Sequence, residues 1–350
     1  MAKTPALENR IREHRDRRGW SQEELARKAG LSRAGVSAIE TSRLVPSAAA
    51  ALALARAFGC RVEDLFRLPG DAPGEVAWAW PPRREDGRYW LAEVSGRARR
   101  YPVEPGPLGL VGHDGFWCAG RGEARGGSEP ESTLVVACCD PAVGLLAEEL
   151  ARHSSVRLIV LPRSSRAALQ LLGRGLVHAA GVHLARAGDG NAGAVSDQLG
   201  TGYRLLRVAR WEEGIALAPR ARVASARAAV GARLRWVGRE EGSGARQCLD
   251  ELLGRDRTPR RLAHDHRGVA EAIRCGWADA GICLRLASEE AGLDFLSVRE
   301  EAYDLCFPEA LADDTRLRAL VAAVRSPSYR RALDDLPGYD SSETGAPASV

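Results

Sequence analysis

The stretch Ser21–Glu40, SQEELARKAGLSRAGVSAIE, leaves this chain little freedom, because its residues specify two short helices and the turn between them. Ser21 and Glu24 have the Ser-x-x-Glu spacing in which each side chain satisfies a backbone N–H of the other residue, which starts a helix at Gln22. Leu25 and Ala29 then lie four apart on one face. Gly30 stands where a left-handed residue ends a helix, and Ser32 is placed to cap a second one. That second helix turns Val36 and Ile39 inward and leaves Arg33, Ala34, Ser37 and Ala38 facing out.

More elements surround this pair. Leu7–Arg18 reads as a preceding helix with Leu7 and Ile11 on one face. Pro46 and Ser47 open a fourth helix, with Leu52, Leu54 and Phe58, which Gly59 stops, and Val62, Leu65 and Phe66 close a small core. The whole resembles the Cro/phage-repressor (XRE) type of helix-turn-helix domain over residues 1–68. In such a domain the second helix of the pair lies in the major groove of DNA. The resemblance implies that Gln22 binds a phosphate, that Ser32, Arg33, Ala34 and Ser37 stand at the DNA-facing start of the recognition helix, and that Arg43 contacts the backbone.

Charge agrees with this division. Residues 1–68 hold thirteen Lys and Arg against eight Asp and Glu, so the chain's net charge of +4 is confined there. Counterion release from phosphates favours such a concentration. No apolar run approaches the roughly 18 residues of a membrane span, and MAKTPALENR lacks the apolar core of a signal peptide, so a cytoplasmic protein without membrane contact is expected. The eight cysteines show no C-x-x-C pair and no histidine at metal spacing, which predicts buried thiols, no cofactor and no metal. Cys138–Cys139 has two open readings, core packing and redox sensing.

Residues 69–131 read as linker and a small β-rich segment. Pro69–Gly74 and Gly120–Glu131 are linkers by composition. Between them, Val76–Trp80 and Tyr89–Val94 alternate as antiparallel strands do, punctuated by Pro and Gly. Four of the eight tryptophans fall here, as Trp78, Trp80, Trp90 and Trp117, and suit a compact core, a dimer contact or an aromatic cage.

From Ser132 strands alternate with helices, which implies parallel sheets covered by helices. Two rounds rhyme: LLGRGLVHAAGV (Leu171–Val182) and AIRCGWADAGI (Ala272–Ile282) each run from helix end through glycine into a small-residue strand. Residues 132–340 resemble the two-lobed periplasmic-binding-protein (PBP) fold, and more narrowly the PBP-like domain related to molybdate-binding proteins that occurs fused to helix-turn-helix regulators. Gly242–Arg246, His266 with Val269, Ala278–Gly281, Tyr303–Leu305 and Gly338–Asp340 carry that resemblance. Residues 341–350 are expected to be a flexible tail. The fold class is thus multi-domain: an all-α head, a small β-rich middle segment and a two-lobed α/β domain.

In open α/β sheets ligands sit beyond the carboxyl ends of strands, at helix N-termini. Three corners offer such ends: Asp140-Pro141-Ala142, Ser164-Ser165 and Gly242-Ser243-Gly244. Arg246 adds a charge in the first turn after the third. Ser243 and Arg246 have two open readings, ligand binding or capping with a solvent-facing guanidinium. His183 and His266 are likewise ligand-facing or structural, with the resemblance favouring His266, and Tyr303 completes the candidate set. GSGARQ lacks the residues of a dinucleotide fingerprint or P-loop, and no catalytic constellation is evident. The resemblance suggests an oxyanion such as molybdate or tungstate. Glu240-Glu241 opposes a dianion there and makes a zwitterionic or neutral metabolite the rival. The expected protein is a homodimeric, ligand-responsive transcriptional regulator that binds operator DNA and is not an enzyme. A cleft enzyme that regulates its own gene is the alternative.

Overall fold

The structure is a computed structural model that describes residues 7–60, 62–67, 76–109, 111–118, 121–124, 129–184, 190–254, 257 and 259–349. Two compact units divide the chain, Met1–Val76 and Ala77–Val350. The Pro69–Gly74 linker lies outside the described residues.

The first unit is a five-helix head: Ile11–Arg17, Gln22–Ala29, Arg33–Glu40, Ala48–Phe58 and Val62–Leu65. Ser21 Oγ accepts from the Glu24 N–H at 3.1 Å, while the Ser21 N–H donates to Glu24 Oε2 at 3.0 Å. Gly30 takes φ 65° at the end of that helix, and Ser32 Oγ accepts from the Gly35 N–H at 3.0 Å to start the next. Ile11, Leu25, Val36, Ile39, Leu54, Phe58 and Leu65 form the core. The first helix begins later than its pattern predicts, because Glu8–Asn9 instead pairs antiparallel with Phe66–Arg67. No helix among the described residues is long and apolar enough to cross a membrane.

The second unit is organised by two fifteen-residue strands, Tyr203–Leu217 and Asp294–Pro308, antiparallel to each other. One lobe adds the parallel strands Thr133–Cys138, Arg157–Pro162 and Ala179–Val182 to one end of this pair. The other lobe adds Trp236–Arg239, Leu262–Ala263 and Ala280–Leu284 to the opposite end. Both lobes therefore hang on one continuous pair of strands. The run Arg210–Gly214 does not alternate in the sequence as a strand should, yet it continues the first of them. The register does shift there, between Arg207 and Ala209 and between Glu213 and Gly214. Gly214 is required because a Cβ would collide with the Leu296 carbonyl on the partner strand.

Two expected linker and tail segments are structured. Arg121–Ala124, inside the expected second linker, is a strand paired with Gly115–Cys118. Pro347–Ser349, inside the expected flexible tail, pairs with Leu206 and its neighbours, and Thr344 Oγ1 donates to the Val208 carbonyl at 2.7 Å. Unpaired backbone on the long strand recruits that terminal segment.

The Trp-rich segment is a four-stranded antiparallel sheet that belongs to the second unit. Trp90, Val94 and Tyr101 pack with Val135, Ile159 and Leu169 of the first lobe, so these aromatics serve the core. Buried polar contacts fix the seam. Arg157 pairs with Asp114 at 2.7 Å, and Arg316 Nη1 donates to the Glu93 carbonyl at 2.7 Å. The fully buried His178 accepts from the Val135 N–H at Nδ1, and its Nε2 faces the same Glu93 carbonyl, both at 3.0 Å, which selects the neutral Nε2–H tautomer.

Burial, aided by the nearby Arg316 charge, pushes His178 down from 6.5 to about 4. A depressed folded-state value contributes stability that is present above the unfolded value and lost as pH falls through the folded one. Denaturant unfolding of the full chain should therefore lose about 2–3 kcal/mol from this group between pH 7.5 and 4.5. His178→Gln should show a correspondingly shallower pH dependence, and equal slopes for the two proteins would contradict the assignment.

Candidate functional site

On the head, Ser32, Arg33 and Ala34 are exposed in one row at the start of the Arg33–Glu40 helix, with Ser37 half-buried one turn on. Arg33 lies 3.8 Å from Glu23, with 69% of its side chain exposed. Arg43 is also exposed. Gln22 is less free: its Nε2 donates to Glu40 Oε2 at 2.8 Å, beside the Arg15–Glu40 ion pair at 2.7 Å. This ties the first helix of the pair to the end of the second and fixes their angle.

In the second unit the corners expected from the sequence do come together. The Arg166 N–H donates to the Gly242 carbonyl at 3.2 Å across the lobes, and Gly244 abuts His183 so closely that any Cβ would strike its ring. Ser243 Oγ, however, donates to the Glu240 carbonyl and accepts from the Arg246 N–H, and Arg246 Nε donates to Asp250 at 2.7 Å. Ser165 Oγ accepts from the His183 N–H at 3.1 Å. Ser164 stands at the N-cap position just before the helix Ser165–Gly173 and is buried. Asp140 accepts from the Ala142 N–H at 2.8 Å and from the Tyr339 hydroxyl at 2.9 Å. Burial holds its carboxyl up at about 6 despite those two donors.

Beneath these corners lies a buried polar cluster centred on His183. Its Nε2 meets Cys139 Sγ at 3.0 Å and its Nδ1 meets Glu301 Oε2 at 2.9 Å. Burial opposes the imidazolium, yet Cys139 and Glu301 hold His183 well above the ordinary histidine range. Arg299 bridges Glu213 at 2.8 Å and Glu301 at 2.5 Å. Burial and the neighbouring Glu301 push Glu213 up to about 7. Trp211 stacks on Tyr303 with ring centroids 4.4 Å apart and meets His183 edge-on at 5.2 Å.

His266 faces this cluster from the other lobe, its ring 5.6 Å from that of His183. It starts the helix His266–Arg274, which Asp265 caps by accepting from the Gly268 N–H. The side chain is completely buried, and neither ring nitrogen has a hydrogen-bond partner among the described residues. Burial, with Arg239 and His183 nearby, holds it well below the usual range, so it is neutral. Arg239 Nη1 and Trp211 Nε1 are also buried without a partner among those residues. Unmatched buried polar atoms are rare because each costs roughly 1–3 kcal/mol. Four such atoms, on the three residues His266, Arg239 and Trp211, belong to this region. Glu240 holds the rest of the Arg239 guanidinium, at 3.1 Å, and Glu241 is exposed. A separate groove of about 1160 Å³, lined by Tyr203, Phe307 and Arg318 among others, lies along the helix Thr315–Val324.

Sequence reasoning named His183, His266 and Tyr303 but missed Cys139, Trp211, Glu213, Arg239, Arg299 and Glu301 as parts of one cluster. The available signal was the run of charges in the middle of two otherwise apolar strands.

Residues 147–325 match the PBP superfamily domain, and residues 11–65 match a helix-turn-helix domain. The chain is 33% identical over 119 residues to the uncharacterized protein YvgK of Bacillus subtilis (strain 168), a match that spans 32% of this chain and 38% of that protein. It is 42% identical over 62 residues to the uncharacterized HTH-type transcriptional regulator YgzD of the same organism, which spans 18% of this chain and 94% of that one. Among solved structures it is similar to the tungstate ABC transporter from Geobacter sulfurreducens, with 17% identity, a TM-score of 0.45, and coverage of 59% of this chain and 99% of that chain. With the family match reaching over half its length, the chain belongs to the PBP-superfamily-domain family, carried here behind the helix-turn-helix of a transcriptional regulator.

Proposed function

We propose that this protein is a cytoplasmic, homodimeric regulator that reads operator DNA with its head and takes a small effector, without turning it over, between the two lobes of its PBP-like domain. The observation that carries this reading is His266: a neutral, fully buried imidazole with both nitrogens unpartnered among the described residues, facing the other lobe's His183. An effector that satisfies His266 binds only when the lobes are together. It therefore shifts the balance toward the closed state by its differential affinity for the two. That shift changes the DNA affinity of the head by a coupling free energy.

The donors Arg239 Nη1 and Trp211 Nε1 suit an oxyanion such as molybdate or tungstate. Glu213 and Glu301, within the same cluster, oppose a dianion. Ser243 and Arg246 are engaged within their own lobe, which supports the capping reading of that corner rather than direct ligand contact.

Three outcomes are expected. Arg33→Ala should weaken operator binding by about 1–3 kcal/mol, as loss of a base contact does, with little effect on random DNA. An equal loss on both DNAs in gel-shift titrations would remove Arg33 from base readout. His266→Ala should bind operator like wild type when effector is absent, yet lose the roughly 5- to 150-fold effector-dependent change in affinity expected of wild type. A variant that still responds in full would place the effector elsewhere. Footprinting should show two half-sites about 34 Å apart, or a multiple of that, with a dimer in sedimentation, and a monomer on a single half-site would exclude the dimer.

A further inference from the structure

We propose that Cys139, His183 and His266 are the ligands of a thiophilic metal ion of the zinc or cuprous class, held between the two lobes. This rests on reading the His183–His266 cluster as the effector site, and it names the effector's chemistry. One ligand atom from each of the three residues lies within 4.8 Å of the others, and all three side chains are buried. Zinc bonds sulfur at about 2.3 Å and imidazole nitrogen at about 2.0–2.1 Å, so tetrahedral ligands stand roughly 3.3–3.6 Å apart. Cys139 Sγ and His183 Nε2, now 3.0 Å apart, need separate by only about half an ångström to admit such an ion.

The surroundings fit a metal better than they fit an empty core. A metal-bound histidine ordinarily gives its other ring N–H to a carboxylate, which fixes its tautomer and orientation. His183 does this, with Nδ1 on Glu301 at 2.9 Å, and Arg299 holds Glu301 from behind at 2.5 Å. His266, buried with both ring nitrogens unpartnered among the described residues, has a nitrogen free to ligate. One thiolate and two imidazoles select a soft or borderline ion over magnesium or calcium. His183, Glu213 and Glu301 also lie within ligand distance of one another. Arg299 occupies that side, pairing with both carboxylates, and a cation there would meet its positive charge.

Cys139 and His183 come from strand ends of one lobe and His266 from a helix start of the other, so the ion closes three coordinate bonds across the cleft and leaves a fourth position open. Entry occurs when the lobes part. Coordination releases to solvent the one proton that Cys139 Sγ and His183 Nε2 share across their 3.0 Å contact. The linear sequence concealed the site because its ligands are 44 and 83 residues apart, with none of the short spacings by which metal motifs are recognised.

The test is titration of reduced, chelator-stripped full-length protein with cobalt(II) and zinc, followed by absorption and equilibrium dialysis. Wild type should bind one ion per chain tightly and show a sulfur-to-cobalt charge-transfer band that zinc abolishes. Cys139→Ser should lose the band. Glu301→Gln should weaken zinc about 10- to 100-fold, the usual effect of removing an outer carboxylate, and His266→Ala should weaken it more. Wild type that takes up no ion, or a band that persists in Cys139→Ser, overturns the proposal whatever the variants' folding. Operator titrations with and without zinc separate the two readings. If zinc binds but leaves DNA affinity unchanged, the metal site stands and the regulatory reading fails. If no metal binds while another effector acts through His266, the metal assignment fails alone.

Discussion

Everything in the second unit depends on charges buried in the middle of two long strands. Glu213 lies on one and Arg299 and Glu301 on the other, and together with His183 they form a connected ion-pair chain at the line where the lobes join. Charges in the interior are tolerated only when paired and hydrogen-bonded, and breaking such a pair from one side costs about 3–5 kcal/mol. Leucines would pack there at less risk. The ion pairs instead hold His183 in one orientation, with Nε2 toward Cys139 and the ring at 76° to that of Trp211. A site requiring fixed geometry is thus built on the strands, the most rigid elements available, at the point both lobes share.

That geometry bears on how binding between the lobes can shift their balance. The apolar core is shared, since Leu284 and Leu286 pack in one cluster with Leu134, Val136 and Trp211, and small polar contacts also cross between the lobes: Arg166 to Gly242, Gly244 against His183, Arg267 to the Pro141 carbonyl. Such contacts weigh little against water on either side of an opening motion. A ligand that supplied partners for His266 would favour the closed arrangement by its differential affinity for the two states.

Much of this was legible in the chain. The capping box at Ser21 and Glu24, the glycine at position 30 and the second cap at Ser32 predict the head, and each is present, because caps act locally and need no tertiary information. The alternation after Ser132 predicts two α/β lobes for the same reason. What stayed hidden depends on contacts between distant segments. Arg210–Gly214 reads as a break although it is continuous strand, because Glu213 finds its partner 86 residues away, in Arg299 on the other strand. Cys139 reads as a core thiol until the fold brings His183 to it. The last residues read as a tail until the free edge of the Tyr203–Leu217 strand is seen to need a partner. Ser243 and Arg246, chosen for their place at a helix start, are satisfied within their own turn.

The central claim is that one small ligand is gripped by both lobes at once. Amide hydrogen exchange on the full-length protein, with and without stoichiometric zinc, measures that most directly. The account predicts slower exchange at the corner after Cys138, around His183 and at the start of the His266–Arg274 helix together, since these share the ligand across the cleft. Slowing confined to one lobe, or exchange unchanged in both, would contradict it.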